Sequence, residues 1–222
     1  MDGGEPGLAS RPRQGKKLVG KWRGWKMKQS LGASTLVGAT TVWVVGTYDR
    51  EGRPNLMTAA WGGVCCSDPP CIGVSLRKAT YSYAGLAERK AFTVSVPPAR
   101  YARETDYAGI VSGKNTDKWQ ATGLTPERST LVDAPYVAEF PLVIECRLLH
   151  AIELGLHTRF IGEVLDVKAE GSVLGKDGTL DIEKIDQFLY VPGKRTYYRL
   201  GPYLGKAHSM GAELRRDGSW ET

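Results

Sequence analysis

Two short segments hold the residue types that bind charged, planar molecules. In Ser75-Leu76-Arg77-Lys78-Ala79-Thr80-Tyr81-Ser82 an apolar run ends in two cations and passes into hydroxyl residues at the head of a periodic segment. A phosphate dianion needs that combination: charge-assisted donors from Arg, unpaired N–H groups at a helix start, and short hydroxyls. Arg77 is the expected bidentate partner. A solvated strand end with an ordinary N-cap accounts for the same residues equally well.

The second segment, Asn55-Leu56-Met57-Thr58-Ala59-Ala60-Trp61-Gly62-Gly63, sets small residues where a strand ordinarily carries bulky ones. Small side chains in a strand let another group approach the backbone closely. A flat ring with polar edges, such as isoalloxazine, fits there, with main-chain N–H and C=O groups at its rim. Thr58 would then donate its hydroxyl and Trp61 would cover an apolar face. Close packing of a helix on Ala59 and Ala60 is the competing explanation.

His157 and Cys66 are the weaker chemical candidates. His157 is one of three histidines, and a side chain bonded to a backbone carbonyl explains it at least as well as a role beside a cofactor. The four cysteines, Cys65, Cys66, Cys71 and Cys146, include no C-x-x-C pair. Their spacing suits neither a zinc site nor a disulfide framework, which points to reduced thiols in a cytoplasmic protein and to no metal. The chain has no G-x-G-x-x-G, no Walker P-loop and no G-x-S-x-G elbow, so dinucleotide-fingerprint, P-loop and hydrolase readings lose their motif support.

The elements that must position these residues are mostly strands. Val42–Thr47 is β-branched and aromatic, Asp49–Pro54 is a turn, and a hairpin return through Asn55–Cys66 follows. Asp68-Pro69-Pro70 leads, extended, into the strand Cys71–Leu76. Tyr83, Leu86 and Ala87 then fall at i, i+3, i+4, which predicts a short helix between Thr80 and Lys90, capped by Thr80 or Ser82. Phe92–Val96 returns to strand, Tyr101–Pro135 supplies a second helix and loops, and Leu142–Glu153 and His157–Lys168 form a hairpin bending at Gly155.

Charge is unevenly distributed. The net charge is +6, yet residues 1–28 hold eight basic against two acidic side chains, which leaves the remainder neutral. A basic groove for nucleic acid is therefore not expected. The basic head, residues 1–27, reads as a flexible extension ahead of one domain over 28–222, and Met27 is an alternative start. No apolar run is long enough for a signal core or a membrane span.

Taken in order, Asn55–Trp61, Ser67-Asp68-Pro69-Pro70, Ser75-Leu76-Arg77 and Tyr81-Ser82 resemble the flavin reductase-like FMN-binding split barrels, and among them the flavoredoxin group. The resemblance extends through Asp106–Gly113, Asp117-Lys118, Asp133-Ala134-Pro135, Glu145-Cys146 and Gly155–Thr158, over roughly residues 35–210. It implies a mainly β fold, a six-stranded antiparallel split barrel with flanking helices, assembled as a homodimer with one FMN per subunit near the interface. It further implies that Asn55, Met57, Thr58, Ala59, Ala60 and Trp61 line the ring. Ser75, Arg77, Lys78, Tyr81 and Ser82 would hold the ribityl phosphate, with Leu76 also in the cofactor site, Cys65, Cys66 and His157 nearby and the Ser112-Gly113 and Asp117-Lys118 segment closing over the site. The implied activity is NAD(P)H-dependent flavin reduction, with NADH or NADPH as donor. The alternatives are a flavoredoxin-type carrier serving a redox partner protein, and ferric reduction.

Overall fold

The computed structural model describes residues 27–212, and the architecture below lies within Thr35–Thr222. The basic extension expected over residues 1–27 falls outside the described residues except for Met27. Among the described residues twelve strands run in chain order: β1 (Thr40–Thr41), β2 (Trp43–Tyr48), β3 (Pro54–Ala59), β4 (Gly62–Ser67), β5 (Pro70–Arg77), β6 (Ala91–Val96), β7 (Pro126–Arg128), β8 (Pro135–Val137), β9 (Leu142–Leu154), β10 (His157–Ala169), β11 (Phe188–Val191) and β12 (Thr196–Arg199). The helices are α1 (Tyr81–Arg89), α2 (Ala102–Ile110), α3 (Lys118–Thr122) and α4 (Ile182–Ile185). Among the described residues no helix is long and apolar enough to cross a membrane.

The main sheet has the order β3-β2-β6-β9-β10-β5-β4, and every pairing in it is antiparallel. It holds seven strands rather than six because the stretch Asn55–Cys66, expected as one hairpin return, breaks at Ala60-Trp61 into β3 and β4. That break closes the fold. β3 and β4 are the two opposite edges of the sheet, yet only two residues separate them in the chain. A connector that short requires the sheet to roll until its edges meet, which makes a barrel. No ladder joins β3 to β4, so the barrel is split along that seam.

The interior is filled by Val45, Val74, Leu76, Phe92, Val94, Cys146 and Phe160, all buried. β2 is buried on both faces because a second cluster, formed by Val44, Leu56, Ala108, Trp119, Leu124, Val137 and Phe140, packs α2, α3 and β8 on its outer side. This explains why Trp43-Val44-Val45 reads as a continuous apolar run instead of an alternating one. Gly46 and Gly85 allow the closest approaches. A side-chain carbon on Gly46 would sit 1.9 Å from the Pro135 carbonyl oxygen, and one on Gly85 2.1 Å from that of Tyr48.

The long β9–β10 hairpin turns through Gly155-Leu156, with Gly155 at φ +62°, as the glycine at the bend predicts. Helix α1 begins at Tyr81, but neither expected cap performs the role. Thr80 turns its hydroxyl back onto the Arg77 carbonyl at 2.8 Å, and Ser82 Oγ accepts from Asn55 Nδ2 at 2.7 Å. The first-turn amides of α1 therefore have no side-chain cap.

Candidate functional site

The seam of the barrel opens into a cavity of about 490 Å³. One wall is the end of β3 and its connector, Met57 through Trp61. The facing wall is the end of β5, Ser75, Leu76 and Arg77, joined by Thr80 ahead of α1 and by His157 at the start of β10. The pairing of β5 with β10 sets Arg77 opposite His157 and Ser75 opposite Arg159. Directly opposed residues share a face, and residues two apart on a strand do as well. Four polar side chains are thus collected on one face while Val74, Leu76 and Phe160 enter the core on the other.

The seam is held by backbone groups and one guanidinium. Ser75 N–H donates to the Trp61 carbonyl at 2.9 Å, and Arg159 Nη1 donates to the same carbonyl at 3.0 Å and to Ser75 Oγ at 3.4 Å. Gly73 makes room for this clamp, since a side-chain carbon there would fall 2.4 Å from Arg159 Nε. Arg159 fixes the position of Trp61 relative to β5 without itself lining the cavity.

A third wall comes from α2, through Asp106, Gly109 and Ile110, and a fourth from the β11–β12 hairpin, through Tyr190, Arg195 and Tyr197. Gly109 lets α2 lie against β3, for a side-chain carbon there would be 3.2 Å from Thr58 Cβ. Tyr197 donates its hydroxyl to Asp106 Oδ1 at 2.8 Å, linking hairpin to helix, and burial together with that carboxylate pushes its pKa up. Thr58 donates its hydroxyl to the Thr105 carbonyl, so its proton serves the β3–α2 contact. Beneath this wall the buried Lys118 donates from Nζ to the carbonyls of Leu56, at 2.9 Å, and Ala108, at 2.7 Å, tying β3 to the end of α2. Burial pulls the Lys118 pKa down to about 8.

Of the residues expected at the site, Met57, Thr58, Ala59, Ala60, Trp61, Ser75, Leu76, Arg77 and His157 converge on this cavity. Tyr81 and Ser82 line an adjoining crevice of about 200 Å³ that shares Met57, Thr58 and Thr80 with it. Asn55 lines a further cavity of about 480 Å³, also bordered by Tyr81 and Lys118. There Asp49 accepts from Tyr81 Oη and Arg53 Nε, each at 2.7 Å; burial raises its pKa, but these bonds and that from the Arg53 amide outweigh it and hold the carboxyl at about 2. Lys78, Cys65 and Cys66 stand outside the lining. Lys78 pairs with Glu153 at 2.5 Å on the exposed side of the barrel. Cys65 lies 3.5 Å from Arg159 Nη2, and Cys66 faces Cys71 across β4 and β5.

Val42, Asp106, Gly109, Ile110, Tyr190, Arg195 and Tyr197 were not identifiable as site residues from the sequence. They come from elements far apart in the chain.

The lining suits a flat ring carrying an anionic tail. Its long wall is small-residue strand and its far end is cationic. Among the described residues neither Arg77 nor Arg195 forms an ion pair. An antiparallel barrel split beside such a cavity defines a split-barrel protein of the flavin reductase type. The chain belongs to the flavin reductase like domain family, whose model matches residues 38–196. It is similar to the flavoredoxin of Desulfovibrio vulgaris (Miyazaki F), with 56% identity and a TM-score of 0.80 over 83% of this chain and 100% of that one. The flavoredoxin of Methanosarcina acetivorans matches at 30% identity and a TM-score of 0.78, over 86% of this chain and 100% of that one. An FMN-binding protein from Thermus thermophilus matches at 25% identity and a TM-score of 0.67, over 83% of this chain and 99% of that one.

Proposed function

We propose that this chain binds FMN noncovalently in the seam cavity and works as an electron-transferring flavoprotein of the flavoredoxin kind. The observation that carries this reading is the convergence of the Met57–Trp61 wall and the Ser75–Arg77 strand end on one cavity. The 56% identity to a flavoredoxin along its whole length supports it further. When bound, FMN supplies a ring that takes up a hydride or passes electrons singly or in pairs.

The protein's own part is to bind and to orient. Arg77 and Thr80, with the uncapped amides that open α1, are assigned to the phosphate. Main-chain groups of Met57–Trp61 address the rim of the ring, and Trp61, fixed by Arg159 and Ser75, shields an edge from water. His157 stands opposite Arg77 and supplies a further polar contact at the same end.

NAD(P)H-dependent flavin reductase activity is the second reading, favoured by the family match over residues 38–196. A homodimer is proposed because apolar side chains of the β9–β10 hairpin are exposed in the single chain: Leu149, Ile152, Leu154 and Leu156. A cytoplasmic location with reduced thiols fits the four free cysteines.

Anaerobic mixing of the FMN-loaded protein with NADH, and separately with NADPH, tests these readings together. The expected result is slow or absent bleaching by either nucleotide and full bleaching by dithionite, as for a carrier supplied by a redox protein. Rapid bleaching by one nucleotide establishes the reductase reading and names the donor. Failure of the chain to retain FMN overturns both.

A further inference from the structure

Three of the four cysteines lie on the β4–β5 hairpin, and its register separates them. Val64 pairs with Ile72 and Cys66 with Cys71, so β4 advances two residues while β5 advances one. Cys65 is the extra, bulged residue, and it meets Arg159. Cys66 is left directly opposite Cys71, the two flanking the turn at Asp68-Pro69.

Opposed residues of an antiparallel pair have Cα atoms about 4.5–5.5 Å apart, inside the span of about 4.4–6.8 Å that a disulfide bridges. Both thiols are free, with Cys66 exposed and Cys71 buried. Cys66 Sγ reaches only the Asp68 carbonyl, at 3.2 Å, within its own turn. An exposed thiol facing a buried one divides the labour of an exchange reaction, because the first meets the reagent and the second resolves the adduct. Cys146 is fully buried on β9 and pairs in register with Phe92 and Val164, so it is not opposite either of them.

We propose that Cys66 and Cys71 form a thiol–disulfide exchange site whose oxidant is a low-molecular-weight disulfide. Cys66 releases its proton to solvent and its thiolate attacks one sulfur of the reagent. The reagent's S–S bond breaks, the first leaving thiolate takes a proton, and a mixed disulfide remains on Cys66. Cys71 then gives up its proton and attacks the Cys66 sulfur, and the second reagent thiolate departs and is protonated. Two protein thiols are oxidised to one disulfide while one reagent disulfide is reduced to two thiols. The product staples the hairpin whose other end carries Trp61 and Ser75, outside the cavity but on the same two strands.

The test is incubation of the full chain with oxidised glutathione at about pH 8, where thiolate forms readily, followed by alkylation and intact mass measurement. Cleavage before Asp68 without reduction then separates Cys66 from Cys71 unless they are bonded. The expected result is two fewer alkyl groups than on the untreated chain and a linked peptide pair, both reversed by dithiothreitol before alkylation. The link is kept in Cys65→Ser and lost in Cys66→Ser, a surface substitution whose fold is checked by circular dichroism. An unchanged mass, a lasting glutathione adduct without an internal bond, or a bond that is lost in Cys65→Ser overturns the proposal.

Discussion

At the scale of single residues, Arg77 and Trp61 line the same cavity from different segments, the end of β5 and the β3–β4 connector, and should fail in different ways. Arg77 forms no ion pair among the described residues, so replacing it leaves no carboxylate stranded and removes only what it gives a ligand. Arg77→Ala should weaken FMN binding by about 2–3 kcal/mol, the scale of a lost charge-assisted contact, which is roughly a 30- to 150-fold rise in Kd. Titration calorimetry reads this directly, and unchanged affinity would remove Arg77 from the phosphate role. Trp61→Ala should leave the phosphate end intact but alter the visible absorption band and potential of bound flavin, because the ring that shields it from water is gone. Both residues were legible in the sequence, since a cation pair at a strand end and small residues in a strand are local signals. Arg159 was not, because its role depends on the room that Gly73 leaves on the neighbouring strand β5 and on the carbonyl of Trp61.

Among the elements, the wall formed by β3 and α2 is the part most dependent on one buried group. Lys118 spans from α3 to carbonyls on both, and among the described residues its buried ammonium has no carboxylate partner. Its pKa in the fold is about 8 against an ordinary 10.5, so the unfolded chain holds the proton more tightly. Between those values the unfolded state binds more protons, and stability rises with pH through that window. The neutral amine still has two N–H donors for its two carbonyls, so the contact survives deprotonation. Lys118→Met should abolish this rise. Denaturant midpoints of both proteins from pH 7 to 10.5 test it, and parallel curves would contradict the assignment. The helices and strands themselves were largely legible, because period and turn residues are local, as at Gly155 and in the run Tyr83–Ala87. The break at Ala60-Trp61 was not, since nothing in the residues says that the chain crosses from one sheet edge to the other. Nor was the β11–β12 wall, in which β11 pairs with β1 and β12 with β11 in a separate small sheet that meets the cavity through tertiary contacts such as the Tyr197–Asp106 hydrogen bond.

For the whole molecule, the exposed apolar hairpin bears on how the cavity is completed. Ile152 and Leu154 pair in register with Arg159 and His157, so they lie on the same face as Ser75 and Arg77. Ile152 is 46% exposed, Leu154 59% and Leu156 64%, an apolar stretch beside a polar cavity that a lone chain leaves open to water. Contiguous exposed apolar surface of this kind marks an interaction site, and a self-complementary contact is the commonest way for a chain to cover one. A second copy seated on this face would bury Ile152 and Leu154 and close the cavity from the β10 side. Ile152→Glu combined with Leu154→Glu should then convert a dimer to a monomer, because each buried carboxylate would lack a partner. Sedimentation equilibrium reads the assembly state. FMN affinity, measured on the same samples, should fall with the dimer if the partner covers the cavity and should hold steady if the hairpin serves assembly alone. A wild-type chain that sediments as a monomer at all concentrations would leave the hairpin face without its proposed occupant.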